Sequence, residues 1–240
     1  METTIKETIV EQCKAGKIPE EAKFIARTEN KDVHFVVKEI ASGGLAVLRR
    51  KTKFVGIGNG LRTKLNVNLG TSSVGEISEE VEKAKIAEKF KIDAITEMSM
   101  CGDIDKIRES IFQSVTMPVI TCPIYQVAAE NFDKGNGFKF NGGEILHNIE
   151  KHLKEGVSAV VLHLSMTKDA IKKLKNTKRI DSIVSKGGAL TAAYMIENNC
   201  ENPFIENFAR IIEILHAHDA TLILGNVMRS GGVCDEMDEL

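Results

Sequence analysis

The stretch Asp181-Ser-Ile-Val-Ser-Lys-Gly-Gly-Ala-Leu190 decides how the rest of this 240-residue sequence is read. Its β-branched pair Ile183-Val184 stops at Ser185, passes through Lys186-Gly187-Gly188 and enters residues 189–199, which read as a helix. A strand, a glycine turn and a helix start place free backbone N–H groups and a positive dipole end at one point, where an anion can sit. Gly187 and Gly188 let a ligand approach the backbone, while Lys186 adds a charge and Ser185 a hydroxyl. Many strand-to-helix turns carry Gly-Gly for geometry alone, so the weight of this reading comes from the rest of the chain.

Working outward, short apolar runs at residues 64–69, 93–98, 118–122, 158–164, 182–185 and 221–225 alternate with helical patterns. The helices are expected over residues 78–91, up to Ser114, up to Glu155, and over 167–176, 189–199 and 204–216. Residues 123–126 read as the end of the third strand, followed by a glycine-rich loop at 135–143. Alternation of this kind predicts a parallel α/β sheet covered on both faces. Before it, residues 1–60 form a polar lead-in with helices over 19–27 and 32–41, the second halted by Ser42-Gly43-Gly44. The glycine-punctuated segment 54–60 marks the boundary with residues 61–240.

Polar residues gather where the strands end: Asn68, Glu97 with Ser99, Tyr125, His163, Ser185, and Asn226 with Arg229. In a parallel sheet or (β/α)8 barrel those ends share one face, the face that carries small-molecule chemistry. One polar strand end means little, because it already lies in a turn; a succession of them predicts a shared site.

A formal net charge of −2 gives no electrostatic case for nucleic acid or an anionic membrane surface. No apolar run approaches the roughly 18 residues that span a bilayer, and the start Met-Glu-Thr-Thr-Ile-Lys has no signal-peptide pattern, so a cytoplasmic location is expected. The five cysteines are dispersed without a Cys-x-x-Cys, which suits a reducing compartment and supplies no cluster or zinc motif. His147 and His152 are five apart on one helix and do not share a face, and His216-Ala-His218 falls at a helix C-terminus, so no residue is assigned as a metal ligand.

Seven stretches, in order, resemble the phosphomethylpyrimidine synthase family, ThiC. They are Pro19-Glu-Glu-Ala-Lys-Phe-Ile-Ala-Arg-Thr-Glu-Asn, Val55-Gly-Ile-Gly-Asn-Gly-Leu-Arg, Asn66-Val-Asn-Leu-Gly-Thr-Ser, Pro123-Ile-Tyr-Gln, Ile183-Val-Ser-Lys-Gly-Gly, Glu201-Asn-Pro-Phe-Ile-Glu-Asn-Phe and Leu224-Gly-Asn-Val-Met-Arg-Ser-Gly. The resemblance runs from about residue 15 to the end. It implies a barrel of TIM type and a radical-SAM enzyme that rearranges aminoimidazole ribotide into the pyrimidine precursor of thiamine. It also implies a 4Fe-4S cluster, S-adenosylmethionine and a divalent metal such as zinc. Carried over by matching position, the ligand contacts are Asn68, Tyr125, His163, Ser185, Lys186, Gly187, Asn226 and Arg229, with Thr96 where the family has a ligand-contacting Met. The catalytic residue itself is not assigned.

The chain departs from the family at three places on that face: Thr96-Glu-Met-Ser99 for Met-Asp-Leu-Ser, His163-Leu-Ser165 for His-Ala-Gly, and Asn226 for Asp. About six of the barrel's eight strands are expected before Leu240, and the family's later glutamate, two metal-binding histidines and cysteine triplet have no counterpart in the sequence. The expectation is a partial barrel, inactive by itself, that acts as a homodimer or with a partner chain completing the barrel. Two other readings stand beside it: a paralogue making 5-hydroxybenzimidazole for cobamides, and a catalytically inactive ribotide-binding remnant.

Overall fold

The computed structural model describes residues 7–72, 76–174, 176–235, 238 and 240. The N-terminal hexapeptide, Ser73 of the turn after the first expected strand, and residue 175 of the helix expected over 167–176 lie outside those residues.

The lead-in holds three helices, α1 (Ile9–Lys14), α2 (Glu20–Glu29) and α3 (Val33–Ser42), and an antiparallel hairpin of β1 (Leu45–Arg50) and β2 (Lys53–Gly58). Asp32 caps α3 by accepting from His34 N at 2.9 Å and Phe35 N at 3.1 Å, and Gly43 ends it at φ 81°, a conformation glycine takes without strain. Helix α1 and strand β1 go beyond the sequence expectation: α1 is short but closed by a capping box between Thr8 and Glu11, and β1 lacks a polar/apolar alternation that flags a strand.

After the lead-in come β3 (Asn66–Leu69), α4 (Ile77–Lys89), β4 (Ala94–Glu97), α5 (Ile104–Ser114), β5 (Val119–Thr121), α6 (Pro123–Asp133), α7 (Gly142–Glu155), β6 (Ala159–Leu162), α8 (Lys168–Leu174), α9 (Lys186–Glu197), α10 (Pro203–Glu206), α11 (Phe208–His218) and β7 (Thr221–Leu224). The strands form one parallel sheet in the order β3-β4-β5-β6-β7, an α/β fold. No helix among the described residues is long and apolar enough to cross a membrane.

Three expectations are corrected. The run at residues 182–185 is not a strand: β6 pairs directly with β7, in register from Ala159↔Thr221 to Leu162↔Leu224, so the sheet has five strands rather than six. Only two β-branched residues occupy that run, and its approach is tied to the C-terminal loop, where Asp235 accepts from Ile180 N at 2.8 Å and Gly232 N at 3.0 Å. The sheet passes this run by, and its backbone never joins the ladder. Residues 123–126 are not a strand end but the first turn of α6, with Pro123 at the position where a missing N–H costs nothing. The helix expected over 204–216 is likewise two pieces, α10 and α11, broken at Asn207.

The pleat sorts the sheet's side chains. Leu69, Ile95 and Val119 pack outward with Ala84 and Ala87 of α4 and Ile107 and Ile111 of α5. Val160 and Leu162 do the same with Ile145 and Ile149 of α7 and Ile211 and Leu215 of α11. The opposite face holds Ala94, Ile120 and Ala159, and the fully buried Leu48 of the hairpin packs into them. The hairpin thus closes the N-terminal end of the sheet's inner face. Arg50 anchors it by donating to the carbonyls of Phe112, Val115 and Met117, and Thr221 Oγ1 donates to Val47 O at 2.9 Å.

Candidate functional site

At the other end of the same inner face lie the residues expected to meet a ligand. His163 follows β6 directly and is 5% exposed. Its ring is wedged between two glycines: a Cβ on Gly225 would stand 2.7 Å from His163 Cδ2, and one on Gly187 would collide with Cε1 and Nδ1. Its Nδ1 is buried and has no hydrogen-bond partner. Burial, aided by the nearby Arg229 cation, pulls the imidazole pKa down to about 4, so the ring is neutral at physiological pH.

Ser185 caps α9, its Oγ accepting from Gly188 N at 3.2 Å, and the helix begins at Lys186, three residues earlier than the sequence pattern suggests. Both glycines therefore lie inside the first helical turn. The Tyr125 oxygen accepts from the Gly187 backbone, and burial pushes the Tyr125 hydroxyl well above its ordinary range. Two of the N–H groups that make the helix start an anion seat are thus already bonded within the protein. Lys186 remains exposed, with Nζ 5.2 Å from the Tyr125 ring centroid. The missing side chain at Gly187 has a second use besides ligand approach: it makes room for His163.

Asn226 and Arg229 are both exposed, and Arg229 turns back on the loop, donating from N to Asn226 Oδ1 at 3.2 Å and from Nη1 to Asn226 O at 2.9 Å. They line an open cavity of about 830 Å³ together with Ser165, Thr167 and Gly225. The structure therefore gathers Tyr125, His163, Lys186, Gly187 and Arg229. Asn68 and Thr96 form a separate group on β3 and β4, joined through Asn66, whose Nδ2 donates to Asn68 Oδ1 at 3.1 Å and Thr96 Oγ1 at 2.9 Å. A larger cavity, about 910 Å³, opens at the opposite end beside Arg49, Arg50 and Asp219. Arg49 is engaged with Asp219 at 3.1 Å and Arg50 with three carbonyls, so these two cations serve the fold.

Glu97 belongs elsewhere. Paired with Leu69 and Thr121, it points to the helix side of the sheet, and its carboxylate accepts from Ser99 N at 2.7 Å. There it meets a buried network. Arg108, with no exposed side chain, has Nη1 3.9 Å from Glu97, donates to Gln126 Oε1 at 2.9 Å and Asp105 at 2.8 Å, and pairs with Glu155. His152 bridges Thr121 Oγ1 and Gln126 Oε1, each at 2.8 Å. Burial pushes the Glu97 carboxyl up, against the opposing pull of Ser99 and Arg108.

A sequence model described as the radical SAM ThiC family matches residues 8–240. The chain belongs to the radical SAM ThiC family. It is 37% identical over 228 residues to phosphomethylpyrimidine synthase 2 of Methanosphaera stadtmanae, covering 93% of this chain and 52% of that protein. It is 41% identical over 236 residues to phosphomethylpyrimidine synthase of Methanocaldococcus jannaschii, covering 96% and 55%. The synthase of Ignicoccus hospitalis is 39% identical over 240 residues, covering 97% and 55%. The chain spans about half the length of the curated relatives it matches.

The radical SAM name implies a 4Fe-4S cluster and S-adenosylmethionine. Among the described residues no group of three or more His, Cys, Asp or Glu side chains could hold a metal ion, and the thiols of Cys13 and Cys122 are buried far apart in sequence and in separate clusters. The described residues of this ThiC chain do not fit the cluster.

The pocket of His163 supplies a direct test. Gly187→Ala places a methyl group inside the ring's envelope, so either the ring leaves its slot or the helix start shifts. Overpacking of this kind costs about 1–3 kcal/mol. Chemical denaturation together with the His163 ring NMR signals reads both effects; an unchanged ring signal at unchanged stability would show that the slot has slack.

Proposed function

We propose that this ThiC chain binds a phosphorylated aminoimidazole ribotide over the C-terminal ends of its strands, as part of phosphomethylpyrimidine synthesis. The observation that carries the reading is the neutral, buried His163 with an unpartnered Nδ1, set beside two exposed cations, Lys186 and Arg229. Such a group is costly to bury unless something completes its hydrogen bonding, and an azole or hydroxyl-bearing ligand does so. Lys186 and Arg229 are suited to a phosphate, and Arg229 can leave its loop carbonyl to form a forked pair. The amides of Asn66 and Asn68 and the Thr96 hydroxyl offer the ribose and imidazole further partners across the inner face.

In the same reading the sheet is one arc of a TIM-type barrel. β3 and β7 each have one strand partner, so further strands are needed to close it, and the cluster is held by polypeptide outside the described residues. No chemical step is assigned to the present side chains; they bind and orient the ribotide and keep a neutral imidazole against it.

Thermal unfolding with added ligand tests the binding claim. A ligand at 100 times its Kd adds about 2.7 kcal/mol, and a domain of this size responds by about 2–4 °C per kcal/mol. Aminoimidazole ribotide is expected to raise Tm by at least about 5 °C under those conditions, and Arg229→Ala to remove most of the gain. No shift at millimolar ribotide would overturn the proposal, and an equal shift from inorganic phosphate alone would reduce it to a phosphate seat.

A further inference from the structure

The ligand face takes no side chain from the Glu201-Asn-Pro-Phe element, yet its asparagine is among the most enclosed polar groups in the protein. Asn202 is 0% exposed. Its Oδ1 accepts from Phe204 N at 2.9 Å, a local capping bond. Its Nδ2 reaches away from that turn, donating to His163 O at 2.8 Å and Met166 O at 2.9 Å, 39 and 36 residues distant in sequence. Glu201 acts beside it, accepting from Asn202 N at 2.8 Å and from Lys168 N at 3.2 Å. The loop between β6 and α8 is thus held at His163 O, Met166 O and Lys168 N. A four-residue helix such as α10 has no need of so many buried bonds. What they determine is the backbone of His163, and with it the direction of the imidazole.

We propose that Asn202 is a positioning residue, clamping the His163 and Met166 carbonyls so that the His163 ring stays lodged between Gly187 and Gly225. Binding groups work only within about 0.5 Å and 10–20° of their productive placement, and residues locked by supporting hydrogen bonds achieve this. The role rests on the ribotide-site reading above, but the clamp can be measured without ligand.

Burial itself sets the ring's titration first, and the Arg229 cation second; Tyr125, whose oxygen meets the Gly187 backbone, and Lys186, over the Tyr125 ring, are the ionisable groups on the adjoining starts of α6 and α9. In the full chain, the ring proton signals of His163 are followed by NMR from acid to neutral pH. With the clamp intact the midpoint lies well below that of a free imidazole. Asn202→Ala is expected to raise it by at least about one pH unit toward the solvent value of about 6.5. His152, bonded on the other side of the sheet, is expected to keep its own behaviour in the variant. A folded Asn202→Ala protein whose His163 midpoint has not moved would overturn the proposal. Should that variant fail to fold, Glu201→Ala, which keeps Asn202 and removes its carboxylate support, is expected to shift the midpoint the same way by about 0.3 unit or more; no shift would count equally against it. Ribotide binding read in parallel separates the two ideas. Loss of ribotide affinity by about tenfold in Asn202→Ala supports the clamp as part of the site. A chain that never binds ribotide defeats the functional reading while the NMR midpoints still decide the clamp.

Discussion

Replacing Arg108 with methionine is expected to remove about 3–5 kcal/mol of folding stability. The guanidinium is fully enclosed between sheet and helices, and it faces Glu97, Asp105, Glu155 and Gln126 at once. Methionine fills much of the space but leaves Glu97 buried without a cation, and a buried carboxylate without a partner must either unfold its surroundings or take up a proton. The pH dependence follows from the sign of the shift. Burial already raises the Glu97 carboxyl above its unfolded value, and losing Arg108 removes one of the influences that hold it down. The folded variant therefore binds more protons than its unfolded chain, so its stability is lost as pH rises and regained on acidification. Urea denaturation across the carboxylate range reads this directly. Adding Glu97→Gln to the variant is expected to restore part of the loss, because the orphaned charge is gone. A loss below about 1 kcal/mol at neutral pH would show that Glu97 is already uncharged beside Arg108.

Leu48→Ala is the second large effect, at about 2–5 kcal/mol. Leu48 has no exposed surface and fills the floor of the sheet against Ala94, Ile120 and Ala159. Two of those three buried neighbours are alanines, which have no rotamers with which to collapse into a void, and Val55, Val161 and Ile223 at the edge of the cluster are β-branched and stiff at χ1. The hairpin cannot sink inward either, because Arg50 ties it to the carbonyls of Phe112, Val115 and Met117. The cavity therefore persists and its full cost is felt. Leu48→Met, nearly isosteric, is expected to retain most of the stability. Denaturation midpoints of the two variants decide the matter: a similar small loss in both would mean that the hairpin does not seal the floor.

The regular part of the fold was legible because each strand is a short, nearly continuous apolar run, the signature of a sheet covered on both faces. β3, β4, β5, β6 and β7 all fall within runs visible in the sequence, though each is shorter than its run. The failures have local causes. Residues 182–185 offer the right residue types, but Asp235 and the C-terminal loop capture the neighbouring backbone. Tyr125 sits at a strand end in the sequence and in the first turn of a helix in space, because Pro123 starts α6 with no intervening loop. Of the expected site residues, Tyr125, His163, Lys186, Gly187 and Arg229 lie together, although Tyr125 and the Lys186-Gly187 pair reach that place from helix starts and not from strand ends. Glu97 is turned away by the two-residue period of the pleat, which a list of polar strand ends ignores. Asn202 was visible as an asparagine before a proline and as part of a stretch that resembles the family, and neither signal speaks of bonds made 36 and 39 residues away.

The tie between the hairpin and the last strand has a consequence for how the chain matures. Thr221 bonds to Val47, Arg49 to the His218 carbonyl and Ile9 N to Asp219, across sequence separations of 174, 169 and 210 residues. Contacts of such long range carry a high loop-closure cost and slow folding. On the ribosome the hairpin emerges early, and its Leu48 side stays exposed until β4, β5 and β6, which carry Ala94, Ile120 and Ala159, have been synthesised. At about 5–20 residues per second that interval is roughly 5–20 seconds, and the bonds to Thr221, His218 and Asp219 close later still.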